Sequence, residues 1–158
     1  MREKSLWWLL FFIVVCELVG VSGTPFTVSA IPTWYASLNR PPFSPPNWIF
    51  GPVWTLLYAM MGASIYLVFR EGWKSKKVKE AFAYFVVQLV LNFSWSFLFF
   101  GLRNPLLGLI DIVLLWIAIF LTIKKFYKIS KPAAYLLIPY LMWVTFASLL
   151  NLSIFLMN

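Results

Sequence analysis

Histidine is absent from the chain and cysteine occurs once, at Cys16. Zinc sites and histidine-ligated haem draw on those side chains, so neither is expected, and a lone cysteine excludes an intramolecular disulfide. The usual Ser–His and Cys–His nucleophile pairs are excluded too, and there is no glycine-rich loop to cradle a phosphate. Charge is also scarce. Asp, Glu, Lys and Arg make up 11% of the 158 residues, and only five are acidic. A soluble domain of this size could not cover its surface with so few polar groups.

Apolar and aromatic residues fill the space instead. They account for 62% and 20% of the chain, nine are tryptophan, and the mean hydropathy is +0.84. Lipid is the solvent that this composition fits. A bilayer core of about 30 Å needs about 20 apolar residues in a helix, because unpaired backbone groups are too costly there for any other open structure. Five runs qualify: 5–23, 47–69, 81–102, 105–123 and 133–157. Stretches such as LLGLIDIVLLWIAIFLTI are apolar on every side, whereas barrel strands would alternate over about ten residues. The expected fold is therefore an all-α integral membrane protein, a single domain over 1–158 built as a bundle of five transmembrane helices. The first run also has the layout of a secretory signal peptide, with Arg2 and Lys4 before it and VSG at its end. Its length and the internal Glu17 favour a retained helix.

The positive charge of +8 is arranged for topology rather than for nucleic acid. Eleven of the thirteen Lys and Arg residues fall on one side of a five-span chain: Arg2, Lys4, Arg70, Lys74, Lys76, Lys77, Lys79, Lys124, Lys125, Lys128 and Lys131. Arg40 and Arg103 fall on the other. The positive-inside rule then places the N-terminus and loops two and four in the cytoplasm, with loop one and the C-terminus outside. No nucleic-acid partner is expected, and lipid is.

Loop one, read as residues 24–46, is long, and long loops are commonly functional. It feeds WYASLNRPPFSPPNWIFGPVW, in which Pro41, Pro42, Pro45, Pro46 and Pro52 crowd together with three tryptophans. Prolines fix backbone angles and lack an amide donor, so such a segment stays ordered without a helix or sheet, and it loses little entropy on closing. The expectation is an outward, preorganised lid running from Trp34 to a pocket wall at Trp54.

Three helical faces could supply that wall. Gln88, Asn92 and Ser96 recur at spacing four, flanked by Trp95 and Phe99. Such a stripe must turn inward in lipid, either as interhelical glue or as a ligand surface, and both readings stay open. Trp54, Tyr58, Met61, Gly62 and Ile65 share a second face, and Pro139, Trp143, Ala147 and Asn151, beside Tyr140 and Leu150, a third. Wide aromatic plates next to small or polar residues suit a flat, mostly apolar ligand. Trp7, Trp8, Trp48 and Trp73 read by position as interfacial anchors, whereas Trp54, Trp95, Trp116 and Trp143 lie deeper. Glu17 and Asp111 fall inside spans, where each is either proton-coupling or held neutral or paired.

The stretches WYASLNRPPFSPPNWIFGPVWTLLYAMMGASIYLV, NFSWSFLFF and PYLMWVTFASLLN, in that order across almost the whole chain, resemble the TspO family of tryptophan-rich sensory proteins and mitochondrial translocator proteins. The resemblance implies a five-helix bundle, commonly a homodimer, with a pocket near the first loop that binds protoporphyrin IX or haem as a ligand and requires no cofactor. By motif, Trp34, Tyr35, Pro45 and Trp48 would belong to the lid. Trp54, Asn92, Trp95, Trp143, Ala147, Leu150 and Asn151 would line the pocket, together with Tyr58 and Ser96 from the faces read above. Some relatives are reported to break down protoporphyrin with light and oxygen, which would give Trp54 and Trp143 a catalytic role.

Sterol binding at the family's usual place is not expected, because the chain ends LLNLSIFLMN without the Tyr and Arg of that motif, and the formal match at Leu121, Tyr127 and Lys131 lies elsewhere. The sequence thus expects a porphyrin-binding membrane receptor or sensor. The alternatives are a porphyrin-degrading enzyme and a transporter, the latter without the inverted repeat that alternating access uses. For self-association, Ala59 and Ala63 supply one small-xxx-small pair.

Overall fold

The computed structural model describes residues 2–158, with side chains from Ser5 onward. The topology charges Arg2 and Lys4 lie outside the described side chains. Six α-helices make five passes: α1 (Arg2–Ala30), α2 (Phe50–Arg70), α3 (Lys76–Ser96), α4 (Pro105–Tyr127), and α5 (Lys131–Leu136) leading into α6 (Ile138–Met157). All five passes are long and apolar enough to cross a membrane: Ser5–Tyr35, Asn47–Arg70, Lys76–Gly101, Pro105–Tyr127 and Lys131–Met157. The chain is an integral membrane protein of the expected helical class.

The first pass departs from expectation. Residues 24–35 were expected as loop, yet α1 runs to Ala30 and continues as a π-turn over Ile31–Tyr35. The run TPFTVSAIPT looks like loop because hydroxyls and prolines break helices in water. Here the hydroxyls bond back to their own helix: Thr27 to the Gly23 carbonyl at 3.4 Å, Ser29 to Pro25 at 3.0 Å and Thr33 to Ser29 at 2.9 Å. Such bonds hide polar groups from lipid. The π-turn takes up the geometry that Pro32 imposes. The true connector is Leu38–Pro46, followed by a 3-10 turn at Asn47–Ile49.

Local chemistry also sets the other breaks. Pro139 cannot supply an amide to the preceding turn, and the helix divides at Leu137. Asn104 caps α4, its Oδ1 accepting from the amides of Leu106 and Leu107 at 3.1 Å each, with Pro105 at the first helical position. The turn after α2 closes through Gly72, whose φ of +114° suits glycine.

The most extensive contacts join α1 to α2, α3 to α4 and α4 to α6, while α2 reaches the last pass chiefly through α5. Glycine permits the α1–α2 contact. A Cβ on Gly62 would sit 2.4 Å from the Ile13 Cα, and one on Gly20 would sit 2.4 Å from the Tyr58 ring. Beyond those points, towards the connector, the helices are spaced by large side chains. Two apolar cores result. One lies around Met61, Ile65, Ile119 and Tyr140, and a smaller one near the connector holds Tyr35, Phe99, Phe100, Leu150 and Ile154.

Candidate functional site

Between the two cores lies a cavity of about 320 Å³, walled by α1, α2, α3 with its terminal π-turn (Phe97–Gly101), and α6. That size falls within the range of small-ligand pockets. The α1 wall is a single face at helical spacing: Glu17, Gly20, Val21, Thr24, Thr27, Val28, Ile31 and Tyr35. Val21 and Val28 are the exposed large apolar residues of the wall, at 62% and 63%. Thr24, Gly51 and Thr55 are exposed beside them on α1 and α2. The cavity therefore opens between those two helices, along a seam that reaches Asn47 at the connector.

Its floor is a chain of hydrogen bonds. The Tyr58 hydroxyl donates to Asn92 Oδ1 at 2.5 Å, Asn92 Nδ2 donates to the Tyr140 hydroxyl at 2.6 Å, and Tyr140 donates to Gln88 Oε1 at 2.8 Å. All four residues are buried, so α2, α3 and α6 are tied together where leaving one partner unmatched would be costly. The α3 stripe thus divides: Gln88 serves as interhelical glue, Asn92 joins glue and wall, and Ser96 is wall alone.

The aromatic plates stand above this floor. Trp54 lies 5.7 Å from Tyr58 and meets Tyr140 edge-on at 6.2 Å. Trp95 stacks on Phe99 at 5.0 Å and donates its indole N–H to Asn151 Oδ1 at 3.0 Å, and Asn151 Nδ2 in turn donates to the Pro105 carbonyl at 2.9 Å. Trp143 stands edge-on to Phe50 at 6.0 Å, and its buried Nε1 has no partner. A buried indole N–H without an acceptor is uncommon, because an unmet donor costs free energy.

Ten of the residues expected at the site surround this cavity: Tyr35, Trp54, Tyr58, Asn92, Trp95, Ser96, Trp143, Ala147, Leu150 and Asn151. Three do not. Trp34 packs edge-on behind Phe99 at 5.4 Å. Trp48 sits on the 3-10 turn and points away, 73% exposed. Pro45 borders a shallow outer depression with Arg40 and Ser44. The connector itself, Leu38–Pro46, contributes none of the wall residues. It is fastened to the C-terminus, the Asn39 amide donating to Asn158 Oδ1 at 3.0 Å and Asn158 Nδ2 donating to the Asn39 carbonyl at 2.9 Å. Arg40 lies over the Tyr35 ring at 4.9 Å.

The α1 wall was the part that sequence reasoning missed. Its signal is present in the spacing of Glu17, Gly20, Thr24 and Thr27, but the composition beyond Gly23 is that of a loop. The two membrane acids separate: Glu17 belongs to the cavity wall, whereas Asp111 is buried on α4, outside it, with Oδ2 unpartnered. Trp116 bonds to the Thr145 hydroxyl at 2.8 Å and joins α4 to α6 outside the cavity. Among the described residues no group of His, Cys, Asp and Glu could hold a metal ion.

The TspO/MBR family model matches residues 12–157. The chain is 46% identical over 156 residues to the tryptophan-rich protein TspO of Chlorobaculum tepidum, covering 99% of both chains. It is 50% identical over 151 residues to the protein of the same name from Archaeoglobus fulgidus, covering 95% of this chain and 96% of that one. It is 39% identical over 141 residues to the translocator protein of Bos taurus, covering 89% of this chain and 83% of the relative.

Proposed function

This chain belongs to the TspO/MBR family, and we propose that it is a membrane receptor or sensor that binds porphyrins, protoporphyrin IX or haem, within its helix bundle. One observation carries the reading. Three tryptophans from three different passes, Trp54, Trp95 and Trp143, face one cavity whose remaining wall mixes apolar side chains with a few polar ones. A flat macrocycle gains most of its affinity from such plates, and a few fixed polar groups orient it. Asn92 at the floor and Asn151 beside Trp95 are such groups. In this reading the connector, Arg40 and the C-terminus are outside and loops two and four cytoplasmic, as the Lys and Arg distribution supports.

Titration of protoporphyrin IX against the purified protein, followed by tryptophan fluorescence, tests it. Saturable quenching that weakens in Trp143→Ala is expected, and linear, non-saturating quenching would remove porphyrins from consideration. A second reading rests on Trp54 and Trp143 lining the same cavity. Light and dioxygen could oxidise a porphyrin held against them, with dioxygen as the oxidant. A new absorbing product formed under illumination by wild type, and lost in Trp54→Phe and Trp143→Phe, would establish that activity; unchanged product in both would exclude a role for these indoles.

A further inference from the structure

We infer that Glu17 determines which ligands the cavity accepts and which end enters first, favouring a protonated amine over a carboxylate at the floor. The inference rests on the cavity being a ligand site. Although the chain carries a net charge of +8, the one formally charged side chain among the cavity's wall residues is this carboxyl, and no Lys or Arg lines the wall. Glu17 is the wall residue of α1 farthest from the connector, one turn below the point where Gly20 meets the Tyr58 ring. It is half-buried and forms no ion pair among the described residues.

The opposite end of the cavity has the opposite character. Tyr35 closes the wall there, and the Arg40 guanidinium lies over its ring at 4.9 Å. Glu17 and Tyr35 are separated by eighteen positions on one helix, roughly 27 Å at 1.5 Å per residue. The groove is therefore polarised along its length, with a carboxyl at the floor and a guanidinium beside the rim.

A ligand that fills the floor displaces the water around Glu17, and a carboxylate left without a counter-charge in a lipid-embedded cavity is strongly disfavoured. A ligand ammonium group restores the missing partner and gains a charge-assisted hydrogen bond. A ligand carboxylate would instead place two like charges together. Acidic tetrapyrroles must accordingly enter ring first, with their carboxylates held at the connector end, and an amine-bearing analogue can enter either way.

Three probes sharing one ring separate the possibilities: protoporphyrin IX with two carboxylates, its neutral dimethyl ester, and its bis-aminoethyl amide with two amines. Dissociation constants are measured with the full chain in detergent, corrected for micelle partition, in wild type and in Glu17→Gln. Wild type should bind the amine tighter than the ester and the ester tighter than the diacid. Glu17→Gln should shrink the amine-to-diacid ratio by about tenfold or more, as expected for removing one close charge, with a retained cooperative thermal transition in detergent certifying the fold. Should the variant not fold, the wild-type order decides, because a diacid bound as tightly as the amine contradicts the inference. An unchanged ratio in a folded variant overturns the role of Glu17 alone. Failure of all three probes to bind saturably overturns the porphyrin reading and this inference with it.

Discussion

In the half of the bundle next to α5, Phe85 stacks on Phe126 at 5.9 Å, the Ser64 hydroxyl donates to the Ala133 carbonyl at 2.6 Å, and Val68, Ile119 and Ala133 are fully buried. In the half next to the connector the same passes end in two π-turns, Ile31–Tyr35 and Phe97–Gly101, and are spaced by Phe50, Trp54, Trp95 and Trp143 around a cavity. Small and aliphatic side chains let helix backbones approach, as membrane packing requires. Aromatic plates and widened turns hold them apart. The buried bonds from Tyr58 through Asn92 and Tyr140 to Gln88 form the boundary, so one half carries stability and the other carries the site.

Substitutions can break that division, beginning with the closed half. Gly62→Leu drives a side chain into the Ile13 backbone, which a Cβ alone would approach to 2.4 Å. A loss of about 3 kcal/mol is expected from overpacking, seen as a collapse of the thermal transition in detergent. Asn92→Leu at the boundary leaves the Tyr58 and Tyr140 hydroxyls without their shared amide. Thermal unfolding should report a loss of about 2 kcal/mol, together with weaker porphyrin binding.

In the open half the effects should move from stability to binding. Trp143→Ala removes a wall plate and should weaken protoporphyrin affinity about tenfold, typical of a buried aromatic contact, with the melting temperature nearly kept. Asn158→Ala unfastens the connector and should cost under about 1 kcal/mol; faster proteolysis confined to Leu38–Pro46 would show it. Trp48→Ala, at a side chain 73% exposed, should change the dissociation constant by less than about twofold, as surface substitutions usually do. A large effect there would place the 3-10 turn against the bound ligand.

Both halves were legible in the sequence to different depths. The five passes follow from hydropathy alone, and the faces on α2, α3 and α6 follow from spacing, because a helix in lipid must turn polar and aromatic stripes inward. The α1 wall was hidden because Thr24, Pro25, Thr27 and Pro32 carry the composition of a loop, and only their back-bonding to the helix shows otherwise. The clamp between Asn39 and Asn158 joins residues 119 apart in sequence, which no local pattern encodes. The proline-rich stretch did not reveal its own position, since prolines fix dihedral angles and not the surface against which a segment rests.

The central claim is that the open half alone holds the ligand, and tryptophan quenching by protoporphyrin IX tests it most directly when Trp143→Phe is compared with Trp116→Phe. Trp143 faces the cavity and Trp116 joins α4 to α6 outside it. Saturable quenching that keeps its midpoint in Trp116→Phe, and shifts it towards weaker binding in Trp143→Phe, is the predicted result. Equal shifts in the two variants, or no saturation in wild type, would contradict it.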